Sequence, residues 1–116
     1  MTIDDEYTRR LVGFGISEKE AQLYLHLLKY GPKTPSPLAK SLHTYREDVH
    51  RTLNSLIEKG MVRPALNMHG VYAAVDLDAA LAAALKRQEL ELSDIKRRGQ
   101  KLEELAKQQR IGSYAR

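Results

Sequence analysis

The chain has 116 residues, a formal net charge of +4 and no cysteine. This length allows one domain of ordinary size plus an appendage, and the lack of cysteine excludes disulfides and thiolate metal sites. Hydrophobic residues make up 42% and charged residues 29%, a balance that excludes a wholly disordered chain, and no apolar run is long enough to span a bilayer. Because Asp4, Asp5 and Glu6 stand where a signal peptide carries basic residues, we expect a cytoplasmic protein with no membrane partner.

Two helices are predicted within the first thirty residues. The first covers residues 4–12 and has acidic side chains in its first turn, where the helix dipole favours them. Ser17 and Glu20 then form a capping-box pattern, which predicts the start of a second helix. That helix ends at Tyr30, because Gly31 and Pro32 form a stop signal.

A short third helix is predicted after this stop. The residue before a proline avoids helical geometry, so Ser36 is expected to be the N-cap and Pro37 the first helical residue. The short helix continues through Leu42.

A tight turn and a longer helix follow. His43 and Thr44 form the turn, and Thr44 with Glu47 makes a second capping-box pattern. The helix covers residues 45–59 and is closed by Gly60. A connection this short forces a large crossing angle between the two helices, which leaves the second one protruding as in a helix-turn-helix.

A hairpin is predicted next, because the hydrophobic period changes from helical to extended after Gly60. Its strands cover residues 61–66 and 71–75, and Pro64 places the first strand at an edge of the sheet.

The composition of residues 78–110 is typical of one long helix. The predicted fold class is therefore mostly α (α+β): a winged helix-turn-helix with a two-stranded wing and a long C-terminal dimerisation helix. We divide the chain into a DNA-binding domain at residues 1–77, a coiled-coil helix at 78–111 and a frayed tail at 112–116.

The long helix carries a seam of residues at alternating steps of four and three, as a coiled coil requires. Since a lone helix would leave its leucines in water, we expect two copies to pair. The expected dimer interface is Leu81, Leu85, Gln88, Leu92, Ile95 and Leu102, and the seam continues through Gly99, Ala106 and Gln109. Leu90 and Leu105 lie off the seam, so a mixed bundle or a helix folded back onto the domain stays open as an alternative.

Several blocks of residues resemble one known family. They are Phe14-Gly15-Ile16-Ser17, Glu20-Ala21, Tyr24-Leu25, residues 28–32, Leu38-Ala39, Val49, Leu53, Ser55-Leu56, Glu58-Lys59-Gly60 and Tyr72. With them, roughly residues 9–90 resemble the N-terminal DNA-binding domain of the TrmB-like transcription regulators, best known from archaea. The resemblance implies a DNA-binding regulator. Longer members add a C-terminal domain that binds sugars, and sugar sensing is not expected of these 116 residues, so the small-molecule effector stays unknown.

The outward face of the helix at residues 45–59 supplies the candidate base contacts. At about 100° per residue, one stripe of this helix faces inward and is formed by Val49, Leu53, Leu56 and Ile57. Arginine can bind guanine and asparagine can bind adenine through two hydrogen bonds each. The candidates on the outer side are Arg46, Glu47, His50, Arg51 and Asn54. The alternative interpretation is an ordinary solvated helix face.

Phosphate contacts are expected from the start of the short helix and from the turn. The candidates are Lys33, Thr34, Ser36, Lys40 and Tyr45. The wing offers Arg63, Asn67 and His69.

No chemistry is predicted. The four histidines lack zinc-like spacing, and we expect no metal, no cofactor, no catalytic residue and no enzyme activity. The predicted function is that of a homodimeric transcription regulator that binds specific sequences of double-stranded DNA. One alternative is a winged-helix protein–protein interaction module with incidental DNA binding, and another is a DNA-binding fragment of a longer regulator.

Overall fold

Five helices and one two-stranded antiparallel sheet form the computed structural model, which describes residues 3–109. In chain order the elements are α1 (Ile3–Val12), α2 (Glu18–Tyr30), α3 (Pro35–Ser41), α4 (Arg46–Glu58), β1 (Val62–Pro64), β2 (Tyr72–Ala74) and α5 (Leu77–Gln109). The predicted fold class, a mostly helical winged helix-turn-helix with a long C-terminal helix, is confirmed. The tail predicted at residues 112–116 lies outside the described residues.

Contacts divide the chain into two compact units. The first unit ends at Leu85 and holds α1 to α4, the hairpin and the first turns of α5. The second unit begins at Lys86, and its described part is the remainder of α5. The functional division that the sequence suggests at residue 78 stays a prediction. Within residues 3–109, no helix is both long enough and apolar enough to cross a membrane.

The capping box at the start of α2 is confirmed. The backbone N–H of Glu20 donates to the Ser17 hydroxyl oxygen at 3.1 Å, and the Ser17 N–H donates to the Glu20 carboxylate at 2.8 Å. At the other end the Gly31 N–H donates to the Leu27 carbonyl at 2.9 Å, and Gly31 has φ +87°. Both ends of α2 are therefore fixed by local sequence signals.

The prediction for the start of α3 is wrong by two residues. Thr34 is the N-cap and Pro35 the first helical residue, whereas we expected Ser36 and Pro37 in these roles. The N–H groups of a first helical turn have no partner within the helix, so prolines at its first and third positions cost no hydrogen bond. Pro35 is also buried, and this packing favours the earlier start.

The capping box predicted for α4 is also wrong. The N-cap is Tyr45, and no side chain caps the helix. The Thr44 N–H donates to the Ala39 carbonyl of α3 at 3.0 Å, so Thr44 still belongs to the turn. The Thr44 hydroxyl lies 3.4 Å from the carboxylate of Asp48 instead.

The hairpin strands are shorter than predicted, with three residues each. Val62 pairs with Ala74 and Pro64 with Tyr72. On its other side β2 bridges Lys33, whose N–H donates to the Tyr72 carbonyl at 3.0 Å. The predicted edge position of Pro64 is therefore confirmed, because β2 is the strand paired on both sides.

The core of the first unit lies between α2, α3, α4 and the hairpin. Its largest fully buried side chains are Leu23, Tyr24, Leu27, Leu38, Val49, Leu53, Leu56 and Met61. The Tyr24 hydroxyl donates to the Val75 carbonyl at 2.7 Å. Burial, with the nearby carboxylates of Asp76 and Asp78, raises the pKa of Tyr24 to about 12. This tyrosine therefore stays a neutral donor that joins α2 to the end of the hairpin.

Candidate nucleic-acid interface

Helix α4 buries one stripe and exposes the opposite one. Val49, Leu53 and Leu56 are at most 1% exposed, and Ile57 is half-buried against the same core. The predicted inward stripe is therefore confirmed, and burial of these side chains fixes the rotation of α4 about its axis.

The five candidate base-contact residues are all exposed. They are Arg46, Glu47, His50, Arg51 and Asn54. The core side chains leave this polar surface directed at solvent, and we call it the recognition face. It combines the arginine and asparagine donors that suit base edges with one acidic acceptor.

Asp48 was not among the predicted site residues, yet it contacts one of them. Its carboxylate lies 3.4 Å from the Arg51 guanidinium and is mostly covered, with 29% of the side chain exposed. The Thr44 hydroxyl contacts the same carboxylate. Asp48 therefore links the turn to the recognition face. The arginine is 78% exposed, and such surface ion pairs are weak enough for Arg51 to exchange Asp48 for another acceptor.

A polar network holds the C-terminal half of α4 against α2. The Glu20 side chain is only 8% exposed, and it accepts hydrogen bonds from the Ser55 hydroxyl and, at 2.8 Å, from the Lys59 ammonium. Burial alone raises the pKa of this carboxyl, but hydrogen bonds from Lys59, the Ser17 backbone and Ser55 outweigh it and lower the pKa to about 2. Sequence reasoning identified only the capping role of Glu20, because Ser55 and Lys59 lie far along the chain.

Most of the phosphate-contact candidates are exposed around α3 and the turn. Thr34, Ser36 and Lys40 are exposed, and Tyr45 is 75% exposed. Lys33 differs, because it is half-buried and its ammonium donates to the Tyr30 carbonyl at 3.0 Å. The structure thus places four of the five candidates in solvent and directs the fifth toward the end of α2.

The wing exposes two apolar side chains that were not among the predicted site residues. Arg63, Asn67 and His69 are exposed as expected. Leu66 and Met68 beside them are 80% and 54% exposed. Asn67 has φ +60°, a conformation that asparagine tolerates better than most residues.

The six expected dimer residues fall into both units. In the first unit, Leu81 is half-buried against the core and Leu85 is 52% exposed. In the second unit Gln88 is exposed, and Leu92, Ile95 and Leu102 are 54%, 62% and 67% exposed. Leu81 therefore contributes to the domain core, and the apolar surface without a partner begins beyond it.

Titratable clusters of the kind that bind metals are missing from the part of the chain that the structure describes. No group of three or more histidine, aspartate or glutamate side chains there could hold a metal ion.

Comparison with known proteins places this architecture among regulators. The family model described as the sugar-specific transcriptional regulator TrmB matches residues 11–78. This match covers α2, α3, α4 and the hairpin and ends at the start of α5.

One sequence relative and two solved structures are similar to this chain. The HTH-type sugar sensing transcriptional regulator TrmBL1 of Pyrococcus furiosus is 30% identical over 103 residues, which are 89% of this chain and 29% of the regulator. The structure of TrmBL2, an archaeal chromatin protein that shows a novel mode of DNA binding, matches with a TM-score of 0.74 and 22% identity, over 97% of this chain and 44% of that one. A possible transcriptional regulator from Methanosarcina mazei matches with a TM-score of 0.55 and 20% identity, over 80% and 82% of the two chains. This chain thus spans less than half the length of the first two of these proteins.

Proposed function

The chain belongs to the TrmB family of sugar-specific transcriptional regulators, and from that premise we propose that it is a homodimer that binds specific sequences of double-stranded DNA. The observation that carries the proposal is the recognition face of α4. Its polar side chains are exposed, while Val49, Leu53 and Leu56 anchor the other side of the helix in the core. In a helix-turn-helix, this second helix lies in the major groove.

Each residue of the recognition face has a proposed role. Arg51 and Arg46 donate to the O6 and N7 atoms of guanine, and Asn54 binds the N6 and N7 atoms of adenine. Glu47 accepts from a cytosine amine, and His50 lies beside these contacts. Asp48 orients Arg51 before binding, since the two side chains already form an ion pair.

Phosphate contacts give this proposed complex its affinity without sequence preference. Lys40, Thr34, Ser36 and Tyr45 are exposed around α3 and the turn, and Lys33 joins them if its ammonium leaves the Tyr30 carbonyl. In the wing, Arg63, Asn67 and His69 would approach the neighbouring minor groove.

The homodimer in this proposal forms through α5. Leu92, Ile95 and Leu102 are each more than half exposed along one seam, and pairing of two copies removes them from water. The two copies of α4 then contact successive major grooves about 34 Å apart. Sugar sensing is not part of the proposal, because this chain spans only 29% of the sugar-sensing relative.

A salt titration of DNA binding tests the proposal. Fluorescence anisotropy with a labelled duplex measures the dissociation constant between about 50 and 200 mM salt. If about six phosphates are contacted, the affinity falls on the order of a thousandfold across that range. A dissociation constant that does not change with salt concentration would contradict the proposed phosphate contacts.

Two substitutions separate the proposed roles. We expect Arg51→Ala to weaken binding of the preferred sequence by about 1 to 3 kcal/mol and to relax specificity at one base position. Lys40→Ala should weaken all sequences alike and reduce the salt dependence. Arg10→Ala is the matched control, since Arg10 is exposed on α1 and pairs with Glu6. If all three variants bind like the parent, these assignments are wrong.

A second candidate function is supported by the wing. Leu66 and Met68 expose two large apolar side chains at the hairpin tip, which suits a protein partner better than a phosphate backbone. In that case the module binds another protein and DNA binding is incidental. Leu66→Ser would then abolish partner binding and leave the weak DNA affinity unchanged.

A further inference from the structure

The end of the hairpin combines two large apolar side chains with polar ones. Leu66 is 80% exposed and Met68 is 54% exposed, and they alternate along the chain with the exposed Asn67 and His69. We call residues 65–70 the wing tip. A single exposed apolar residue is common on a protein surface, but two of them at the end of one hairpin give it an apolar point in solvent.

Hydrogen bonds hold the wing tip together. The Ala65 N–H donates to the Val71 carbonyl at 2.8 Å, and the Val71 N–H donates to the Met68 carbonyl at 3.2 Å. Asn67 has φ +60° and Gly70 has φ +74°, values that belong to tight turns. Because this backbone is ordered before a partner binds, little conformational entropy is lost when the two apolar side chains are buried in a complex.

The hairpin is bonded to the last turn of α4. The Met61 N–H donates to the Leu56 carbonyl at 2.9 Å, and the Val75 N–H donates to the Met61 carbonyl at 2.9 Å. At about 3.3 Å per extended residue, the chain from Met61 to Leu66 spans up to about 16 Å. A minor groove lies about half a helical turn, roughly 17 Å, from the neighbouring major groove. With α4 in a major groove, the wing tip can therefore reach the next minor groove.

The charges of the hairpin suit a polyanion. In the sequence, no acidic residue lies between Glu58 and Asp76. Arg63 is exposed on β1, and Lys33, which bridges β2, adds a second positive charge beside the hairpin. The hairpin can therefore approach the phosphates on both sides of a groove without repulsion between like charges.

Only the wing tip is narrow enough to enter a minor groove. This groove is about 6 Å wide and about 7.5 Å deep, whereas two paired strands lie about 4.8 Å apart before their side chains are counted. The paired strands therefore stay outside while side chains of the tip enter. Proteins that bind the minor groove often insert leucine or methionine between neighbouring base pairs, where the faces of the bases offer apolar surface that the phosphate backbone lacks.

We propose that Leu66 and Met68 form an apolar wedge that enters the minor groove beside α4, separates two stacked base pairs and bends the DNA. The inference rests on the DNA binding proposed above and adds a second point of sequence selection to it. Pyrimidine–purine steps, such as TA, unstack most easily, so the wedge selects such a step where α4 makes no base contact. Asn67, between the two apolar residues, donates to the acceptors that A·T pairs present in the minor groove.

The fluorescence of 2-aminopurine, an adenine analogue that brightens when it leaves the base stack, tests the wedge. The probe is a duplex of about 30 base pairs with a TA step in every half turn, so that a step lies within reach wherever α4 binds. The analogue replaces the adenines of these steps on one strand. A matched duplex has AT in place of each TA and the same base composition. We expect the parent to raise the fluorescence of the TA duplex and to bind it about threefold or more tightly than the AT duplex.

Three variants separate the wedge from other contacts of the wing. The double variant Leu66→Ser with Met68→Ser should bind both duplexes alike and leave the fluorescence unchanged, because serine gains nothing from contact with the base faces. Leu66→Met keeps an apolar side chain at the tip and should unstack the TA step as the parent does. Val12→Ser is the control, since Val12 is an apolar side chain of α1 that is 40% exposed, and this variant should behave like the parent.

Ligation of DNA fragments into circles measures the bend independently. An inserted wedge bends DNA by about 20 to 90°, and fragments of about 150 base pairs, one persistence length, close more readily when they are bent. The parent should therefore raise the rate of circle formation of a fragment that contains TA steps. The double variant should leave this rate at the value for free DNA.

Each outcome supports or contradicts the wedge. A fluorescence rise that requires both the TA step and the apolar tip supports it. If the parent binds the TA duplex without a rise, or if the double variant unstacks the step equally well, the wedge is overturned while the proposed DNA binding stands. If Leu66→Ser changes neither affinity nor fluorescence, the tip is left to the protein partner of the second candidate function. Failure of the parent to bind either duplex overturns both proposals.

Discussion

Glu20 is one of the residues that fix the position of α4 against α2. It caps α2 and also binds Ser55 and Lys59 of the segment that ends α4. Three hydrogen-bond donors compensate the burial of this carboxylate, which is the condition under which a buried charge stabilises a fold. The recognition face is held in place by this contact together with the apolar stripe.

The stability of the protein should depend on pH through Glu20. Its pKa is lowered from 4.5 to about 2 in the folded chain, which corresponds to roughly 3 kcal/mol of stability. This contribution is fully present above about pH 4.5 and is lost as the pH falls toward 2.

Urea unfolding of the parent and of Glu20→Gln at pH 7 and pH 3 measures this contribution. We expect the variant to be less stable at pH 7 and the difference to shrink at pH 3, where the parent carboxylate is losing its advantage. Glu18→Gln is the control in the same helical turn. A difference that does not change with pH would contradict the role given to the charge.

His43 has a backbone conformation that most side chains disfavour. Its φ is +52° in the turn between α3 and α4, a region that costs an ordinary residue about 1 to 2 kcal/mol and glycine little. His43→Gly should therefore maintain or raise the free energy of unfolding, whereas His43→Val should lower it by about 1 kcal/mol or more. His50→Gly, inside α4, should instead destabilise by about 1 kcal/mol. Equal effects of the two glycine substitutions would refute the strain at His43.

Contacts between residues that are close along the chain were predictable from the sequence. The Ser17–Glu20 capping box and the apolar spacing of Val49, Leu53 and Leu56 lie within one or two turns of a helix, so they were predictable. The contacts of Glu20 with Ser55 and Lys59 join residues that only the packing of α2 against α4 brings together. They could not be predicted without the fold.

At the scale of elements, the ends of α4 determine how it meets its neighbours. Gly60 closes the segment with φ +76°, and a side chain built there comes within 3.2 Å of the Ala83 side chain of α5. A side chain at position 60 would push Ala83 aside by a few tenths of an ångström, so Gly60 lets the end of α4 lie close to the first turns of α5 inside the first unit.

Gly60→Ala should destabilise the protein through both strain and contact. The positive φ alone costs about 1 to 2 kcal/mol, and the contact with Ala83 adds to it. Gly70→Ala is the matched control, since Gly70 has φ +74° and nothing within 4 Å of a built side chain. We expect chemical denaturation to show a larger loss for Gly60→Ala than for Gly70→Ala. Equal losses of unfolding free energy would mean that the contact between position 60 and α5 does not affect stability.

The order of the elements was predictable from stop signals and changes of period, but two helix starts were not. The preference of the residue before a proline for extended geometry favoured Ser36 as the N-cap and Pro37 as the first helical residue. Burial of Pro35 instead favours a start of α3 two residues earlier. The Thr44 and Glu47 pattern was present in the sequence, but Thr44 is used to close α3, which leaves Tyr45 as the N-cap. Packing therefore outweighed the local preference at α3, whereas at α4 the Thr44 hydroxyl contacts Asp48 and does not cap the helix.

At the scale of the whole molecule, the sequence predicted which helix faces are exposed better than it predicted the contacts that they make. The exposed face of α4 and the seam of α5 were predictable, because the apolar periods of both helices define their opposite sides. The ion pair of Asp48 with Arg51 and the exposed Leu66 and Met68 of the wing were missed, since neither follows from periodicity. Which of the proposed residues contact DNA stays a prediction.

In the proposed dimer, two recognition faces together select a DNA sequence. Repeated selection of bound duplexes from a random pool, with the parent and with Arg51→Ala, measures this directly. We expect an enriched inverted repeat with half-site centres about 10 base pairs apart, and loss of preference at one position in each half-site for the variant. A pool without enrichment, or an enriched sequence that lacks two-fold symmetry, would contradict it.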